Sequence, residues 1–398
     1  MPFAVYALGL AVFAQGTSEF MLSGLVTDIA ADLHVSIPAA GLLTSAFAIG
    51  MVVGAPLMAL FSRNWPRRRA LLFFLCVFSA VHVVGALTPG YGVLLATRVA
   101  GALANAGFWA VALVTAVSMV GPEARARATS VVVGGVTIAC VAGVPAGAAL
   151  GGQWGWRSAF WAVALVSVPA VVVIARTIPG TRPKAAPARA RVELRALARP
   201  RLLLTLLTSA LVQGATFCAF SYVEPLATRV TGLDAGWVPV LLALFGLGSF
   251  VGVTVAGRVV DARPRAFTAA GLVALTVGWT GLALSAGNPF ATVALVAVQG
   301  MLAFGTGTAL ISWVFRLAAD APTLSGSFAT SAFNVGGALG PWFGGLAIGA
   351  GFGFRSPLWV SVLLMVLALG TAWASLGMRR AAGRRSPDRV PAVREQSG

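Results

Sequence analysis

Glu19 lies inside an apolar run, residues 3–26, with Gln15, Thr17 and Ser18 beside it. A run of that length crosses a bilayer as a helix, and a carboxylate within it costs about 2.5–3.5 kcal/mol on insertion scales. Such a group normally faces a cavity, a partner charge or a proton path. The chain has 11 acidic residues, and Glu19 alone falls well inside an apolar core. The matching cation is Arg98, in ATRVAGALANAGFWA. Counting about 1.5 Å per residue from the outer ends of their spans puts both roughly 10 Å inside the same boundary. They are therefore expected to pair, directly or through Gln15 or Asn105. The functional reading couples protonation of Glu19 to Arg98 and to substrate occupancy. The alternative is a static pair tying two spans together, although buried pairs are weak stability devices.

Polar and aromatic residues inside spans are the candidate walls of a cavity: Gln15, Asn105, Phe108, Trp109, Gln213, Phe217, Phe220, Tyr222, Gln299 and Asn334. Apolar walls with a few polar groups suit a small amphipathic ligand, and for each residue taken singly packing is the competing role. His82 reads as a satisfied core histidine, and Glu224 as a solvated acid at a span end. Gly143, Pro145, Gly147 and Gly151 place small residues and a helix-breaking proline on one span. That segment is a candidate hinge or seal, with plain tight packing as the alternative. In the basic loop after the eighth span, Asp261 faces Arg263 and is a candidate latch for a cytoplasmic gate.

These residues need helices to hold them, and composition supplies the helices. The 398 residues are 58% hydrophobic and only 10% charged, against about 25% charged in a soluble domain. Mean hydropathy is +0.90. Twelve apolar spans are predicted, near 3–26, 38–61, 70–88, 91–119, 128–151, 158–177, 202–224, 237–256, 267–286, 290–315, 325–349 and 357–377. The net charge of +17 invites a nucleic-acid reading, but its distribution opposes it. With a cytoplasmic N-terminus, 24 of the 28 basic residues fall on the inner side and three, Arg157, Arg229 and Arg355, on the outer. That asymmetry puts both ends in the cytoplasm and makes the charge a matter of topology. Nucleic acid is not an expected partner; the bilayer is.

The stretch 178–201, rich in Pro, Ala and Arg, divides the spans six and six. The expected layout is a bundle over 1–177, a cytoplasmic linker over 178–201, a second bundle over 202–378 and a disordered basic tail over 379–398. Phe47, Gly50, Gly54 and Pro66 recur 198 positions later as Phe245, Gly248, Gly252 and Pro264. GVPAGAALGG at 143–152 is echoed by GALGPWFGG at 337–345. Two parallel repeats imply a transporter with its site between the halves near the midplane. The sole lysine, Lys184, leaves no room for a phosphate-binding Gly-Lys-Ser/Thr loop, so an ATP motor of that kind is excluded and an ion gradient must supply the energy. Three scattered cysteines and no acid or His-Glu-x-x-His cluster give no expectation of a metal, a disulfide or a cofactor. Nothing points to an enzyme.

The plan resembles the major facilitator superfamily: an all-α membrane protein with twelve transmembrane helices in two pseudo-symmetric six-helix bundles. The stretch from Arg98 resembles the span-4 arginine motif of its proton-coupled drug exporters, and GVPAGAALGG their span-5 antiporter motif. GTSEFMLSGL (16–25), AGLLTSAFAIGMVVGAPLMA (40–59), ALANAGFWAVAL (102–113) and GSFVGVTVAGRVVD (248–261) are similar to actinobacterial chloramphenicol-resistance exporters. The superfamily's usual Asp before the arginines after span 2 is absent here, where the chain reads Ser62-Arg63; the second-half copy keeps Asp261. The resemblance implies proton-coupled efflux of a small amphipathic drug, chloramphenicol first, across the plasma membrane by a monomer. Export of a sugar or metabolite by the same mechanism is the nearest alternative; an importer and a non-transporting receptor are more distant ones.

Overall fold

The computed structural model describes residues 1–62, 64–180, 198–260, 262–318 and 325–384. Among these, twelve helices are long and apolar enough to cross a membrane. They are α1 Phe3–Gly24, α2 Ile37–Ser62, α3 Arg67–Leu87, α4 Tyr91–Ser118, α5 Arg127–Trp154, α6 Arg157–Thr177, α7 Pro200–Phe220, α8 Ala235–Val259, α9 Pro264–Ser285, α10 Pro289–Leu317, α11 Gly326–Phe352 and α12 Ser356–Ser375. The described residues contain no strand. The final helix continues past α12 to Arg384. The segment 379–384, expected to be disordered, is therefore helical: its Arg and Ala residues are good helix formers that prolong an existing helix at little cost. Most of the linker, 181–197, lies outside the described residues.

Local signals set the helix starts and stops. Proline stands in the first turn of α9 and α10, where its missing N–H is not needed. The Asn288 side chain caps α10 by accepting from the Ala291 N–H at 3.2 Å. Gly155, at φ 79°, ends α5 in a backbone conformation that a side chain would strain.

Each half has its own apolar core. Leu8, Phe74, Phe78, Phe108 and Phe160 are fully buried in the first. Leu241, Phe245, Trp279 and Leu282 anchor the second, which also takes in Phe20, Cys140 and Val144 from the first half. Leu165, Val277 and Leu284 are exposed on the outside of the bundle. Large apolar side chains on the surface fit a bilayer rather than water.

The end of the bundle that carries the loops after α2, α4, α8 and α10 is called here the basic end. Close approaches between the halves run from the middle of the bundle to the opposite end. A Cβ on Gly246 of α8 would lie 2.1 Å from the Cys140 carbonyl oxygen of α5, and one on Gly41 of α2 would lie 2.2 Å from the Tyr222 hydroxyl. At the opposite end the Thr27 N–H donates to the Glu224 carboxylate at 3.1 Å. Glu224, expected to be solvated, is half-buried in this seam. Toward the basic end, α2 and α8 turn to their own halves. Gly54 packs on Leu103 and Ala106 of α4, and Gly252 on Met301 of α10.

Candidate functional site

A cavity of about 90 Å³ sits between the halves. Its walls come from α1, α2, α7 and α11: Glu19, Phe47, Gln213, Phe217, Phe333 and Asn334 give it its chemistry, with Thr44, Ala48 and Gly337 between them. The three phenyl rings make it apolar, and one carboxyl with two amides gives it polar points. Asn334 spends its Nδ2–H on the Thr330 carbonyl at 3.0 Å, leaving its oxygen available. Gln213 and Glu19 make no side-chain hydrogen bond among the described residues. The cavity continues into an aromatic chain, Phe20–Phe217–Phe220–Phe245, with ring centroids 5.5, 6.1 and 4.5 Å apart.

Glu19 and Arg98, expected to pair directly or through Gln15 or Asn105, do neither among the described residues. Among the described residues the one ion pair lies elsewhere, between Arg157 and Asp32 at 2.5 Å. Arg98 is buried and turns to the residue beside Glu19: Nη1 donates to the Ser18 hydroxyl at 2.8 Å and Nη2 to the Ser18 carbonyl at 3.0 Å. Its guanidinium lies over the Phe47 ring, 4.4 Å from the centroid. The Ser18 hydroxyl also meets His82 Nε2 at 2.6 Å, while His82 Nδ1 meets the Phe78 carbonyl at 2.6 Å. A carbonyl only accepts, so the proton of the neutral ring is on Nδ1. Nε2 then accepts from Ser18, which in turn accepts from Arg98. Every contact in this chain has a donor and an acceptor. His82 is thus satisfied, as expected for a core histidine, but it also fixes the hydroxyl that holds Arg98. A lone serine and a lone histidine, 64 positions apart, gave no sign of this in the sequence.

The other candidates divide. Gln213, Phe217 and Asn334 reach the cavity, and Phe220 stands one ring behind it. Gln15 and Asn105 do not line it: both are wholly buried, and neither amide has a hydrogen-bond partner among the described residues. Phe108 is in the core of the first half and Trp109 packs against that core. Gln299 is wholly buried against α9, donating to the Leu275 carbonyl at 3.3 Å. The Tyr222 hydroxyl donates to the Pro341 carbonyl at 2.8 Å, in the seam rather than the cavity. Hydrophobicity told that these residues were in spans; helix rotation decided which way each faced.

The glycines of α5 form a seat for α1. Gly143, Gly147 and Gly151 recur every fourth residue, and Thr17, Met21 and Leu25 of α1 pack against them in the same rhythm. This is tight packing within one half. The helix is irregular just before Pro145: Ala139–Gly143 is a π-helical turn, and its Cys140 carbonyl is the one that meets Gly246 across the interface. Asp261 lies outside the described residues. Arg263 is exposed before α9 and makes no side-chain bond among them.

The model of the Major Facilitator Superfamily matches residues 8–331. A "Chloramphenicol resistance protein" of Streptomyces lividans is 51% identical over 94% of this chain and 96% of its own. The "Inner membrane transport protein YdhP" of Escherichia coli K12 is 35% identical over 92% of this chain and 94% of its own. Among solved structures, an inward-facing, unoccupied bacterial homolog of the human lysosomal transporter Spinster superposes with a TM-score of 0.78 at 18% identity, over 94% and 96% of the two chains. The nucleoside transporter NupG gives 0.78 at 12% identity, over 94% and 99%. With the superfamily model spanning most of its length and a close relative matched end to end, the chain belongs to the major facilitator superfamily and is a multi-pass membrane transporter.

Proposed function

We propose that the protein exports chloramphenicol, or a small amphipathic drug of that kind, across the plasma membrane in exchange for protons, as a monomer with both termini in the cytoplasm. The observation that carries this reading is Glu19: the one carboxyl deep in the spans stands unbonded in the wall of the cavity between the halves, next to rings and amides. Chloramphenicol has an aromatic ring for Phe47, Phe217 and Phe333, and hydroxyl and amide groups for Gln213 and Asn334. The 51% identity to the Streptomyces lividans protein supports the same substrate. With the basic end in the cytoplasm, halves that meet at the opposite end make this the inward-facing arrangement.

Inward-facing, Glu19 gives up its proton and drug enters. Outward-facing, Glu19 takes a proton and drug leaves. Arg98, tied to Ser18, keeps a positive charge beside the carboxyl throughout, and the unpartnered amides of Gln15 and Asn105 are available to receive it when the halves rock. The drug is neutral, so each exchanged proton carries charge inward, worth about 2.3 kcal/mol per 100 mV. Proton and drug bias one two-state element, so their coupling is reciprocal in free energy. The cavity of about 90 Å³ is smaller than the roughly 300 Å³ or more of drug-sized sites. Drug entry therefore requires the halves to part further at the basic end. The two amides favour a second reading, export of a sugar or other polyol by the same cycle.

The deciding experiment is chloramphenicol flux into everted membrane vesicles under an imposed proton gradient, for the native chain and Glu19→Gln. The expected result is gradient-dependent accumulation that the variant loses by about a hundredfold or more, since an amide does not take up and release a proton near neutral pH. Accumulation that survives in the variant removes Glu19 from the coupling. No accumulation by the native chain, with sugar uptake in its place, establishes the second reading.

A further inference from the structure

A second cavity, of about 230 Å³, lies inside the C-terminal half, away from the interface, among α7, α9, α10 and α12 at the basic end. Arg201 and Arg265 line it. They occupy the same position on two helices, each following the proline that opens α7 and α9. The Arg201 side chain makes no hydrogen bond or ion pair among the described residues, and its Nε is buried without a partner. Three of the four hydroxyls lining the cavity are already committed, Ser375 being the fourth. Thr205, Thr208 and Thr268 donate to carbonyls of their own helices at 2.9, 2.7 and 2.7 Å. The charged donors at the cavity are the two guanidinium groups, supported by the positive ends of two helices. Deeper along the cavity the walls are apolar, Leu272, Val273 and Leu369, and Trp373 stands 76% exposed on the outer surface beside it. Cation above, hydrocarbon below and an exposed aromatic at the boundary match the layers of one membrane leaflet.

The equivalent positions of the N-terminal half differ: 198 positions before Arg201 stands Phe3. Arg67, 198 positions before Arg265, donates to the Ser118 hydroxyl. The residue 198 positions after Ser118 is Arg316, which lies over the Trp313 ring. Two arginines cannot close on each other as Arg67 and Ser118 do. The pair of arginines is thus particular to the second half.

We propose that this cavity binds one anionic phospholipid, its phosphodiester between Arg201 and Arg265 and an acyl chain along Leu272, Val273 and Leu369. A neutral drug would leave both guanidinium groups unpaired, and free phosphate would leave the apolar walls uncovered. The site is separate from the transport cavity and does not depend on what is transported.

The test is lipid binding to the purified full chain in detergent, followed by native mass spectrometry and thermal unfolding, with phosphatidylglycerol, phosphatidylcholine, glycerophosphate and chloramphenicol. Phosphatidylglycerol is expected to bind one to one, at least about tenfold tighter than phosphatidylcholine, and to resist displacement by the other two. The double variant Arg201→Gln/Arg265→Gln is expected to bind it about thirtyfold more weakly, each arginine contributing to attraction of an anionic lipid. Ala269→Trp, which fills the cavity and keeps both arginines, is expected to exclude the lipid as well. Equal binding of the two lipids overturns the proposal, as does undiminished phosphatidylglycerol binding in the folded double variant. Glycerophosphate binding as tightly reduces it to a phosphate site, and displacement by chloramphenicol makes it a drug site; either overturns it. If the double variant does not fold, Ala269→Trp decides, and retained phosphatidylglycerol binding sinks the idea.

Discussion

At the level where the N-terminal half holds Ser18, Glu19, His82 and Arg98, the C-terminal half places Thr216, Phe217, Thr280 and Val296, each 198 positions later. The scaffold is shared. Gly16 and Gly214 correspond, and each seats its helix against the glycine-rich partner of its own half, α5 or α11. The chemistry is not shared. Glu19 and its counterpart Phe217 line the same cavity from opposite sides. Phe47 lies under the Arg98 guanidinium, whereas its counterpart Phe245 stacks on Phe220. Duplication supplied two similar helix frames. One came to hold the ionisable groups, with Arg98 and His82 joined through Ser18, and the other the apolar wall against which a ring can lie. A membrane interior favours this division, because a second set of charges would carry a second desolvation cost for no added coupling.

The comparison breaks most sharply at Ser18. Ser18→Ala removes the hydroxyl that joins Arg98 to His82 and leaves both short of a partner. It should cost about 2–3 kcal/mol of stability, the scale of a buried hydrogen bond to a charged group, and lower transport by at least about tenfold; unfolding curves and vesicle flux read the two effects. Ser18→Thr installs the residue of the second half and keeps the hydroxyl, so it should retain most of both. Equal damage from the two would mean that side-chain volume, not the hydroxyl, is what matters there.

Across the seam, Gly246→Ala puts a methyl group onto the Cys140 carbonyl, where backbone must shift. Strain of about 1–3 kcal/mol should fall on the arrangement in which this contact is closed, inward-facing on the proposed reading, and favour the other. Accessibility of a cysteine placed at the opposite end should rise accordingly. A smaller effect of the same sign is expected for Glu224→Ala, which removes the acceptor of the Thr27 N–H. One hydrogen bond is about 1 kcal/mol, or roughly fivefold in the balance between the two states. Unchanged accessibility in both variants would mean that the seam does not separate them.

The smallest effect belongs to a contact within the first half. Asp32 accepts from Trp156 Nε1 at 3.1 Å and from Arg157 at 2.5 Å. Burial is the largest single influence and opposes its ionisation, but the hydrogen bonds from Arg157 and Trp156 together with the nearby charges of Arg157 and His34 outweigh it and hold its carboxyl below the usual aspartate range. A lowered carboxyl stabilises the fold above its unfolded-state pKa near 4, and the contribution disappears as the pH falls through the lower folded-state value. The pair is largely exposed, so Asp32→Asn should cost no more than about 0.5–1 kcal/mol at neutral pH. The difference should vanish in unfolding measured in strong acid. A larger loss would show that the start of α6 and the short helix Val26–Asp32 move as one body.

Amino-acid order alone determined the twelve spans, their division around 178–201, the internal repeat and the isolation of Glu19 in an apolar run. Hydropathy and charge are properties of a stretch, and a bilayer acts on stretches, so no cross-chain contact was needed to read them. Depth along a helix was legible too, and it rightly brought Arg98 to the layer of Glu19. Which atom Arg98 would choose was not legible: Ser18 and Glu19 are neighbours in sequence, and a rotation of α1 by part of a turn exchanges them. The rotation of each helix about its own axis likewise separates Gln213 and Asn334, which face the cavity, from Gln15, Asn105 and Gln299, which do not. Gly143 and Gly246 look alike in the chain, yet one packs within a half and the other across the interface. The second cavity was the least visible, because Arg201 and Arg265 counted in the sequence only as two more basic residues near loops. Only the packing of four helices placed them around one space, since side-chain facing is set by cross-helix contacts of a few ångströms and not by the composition of any one helix.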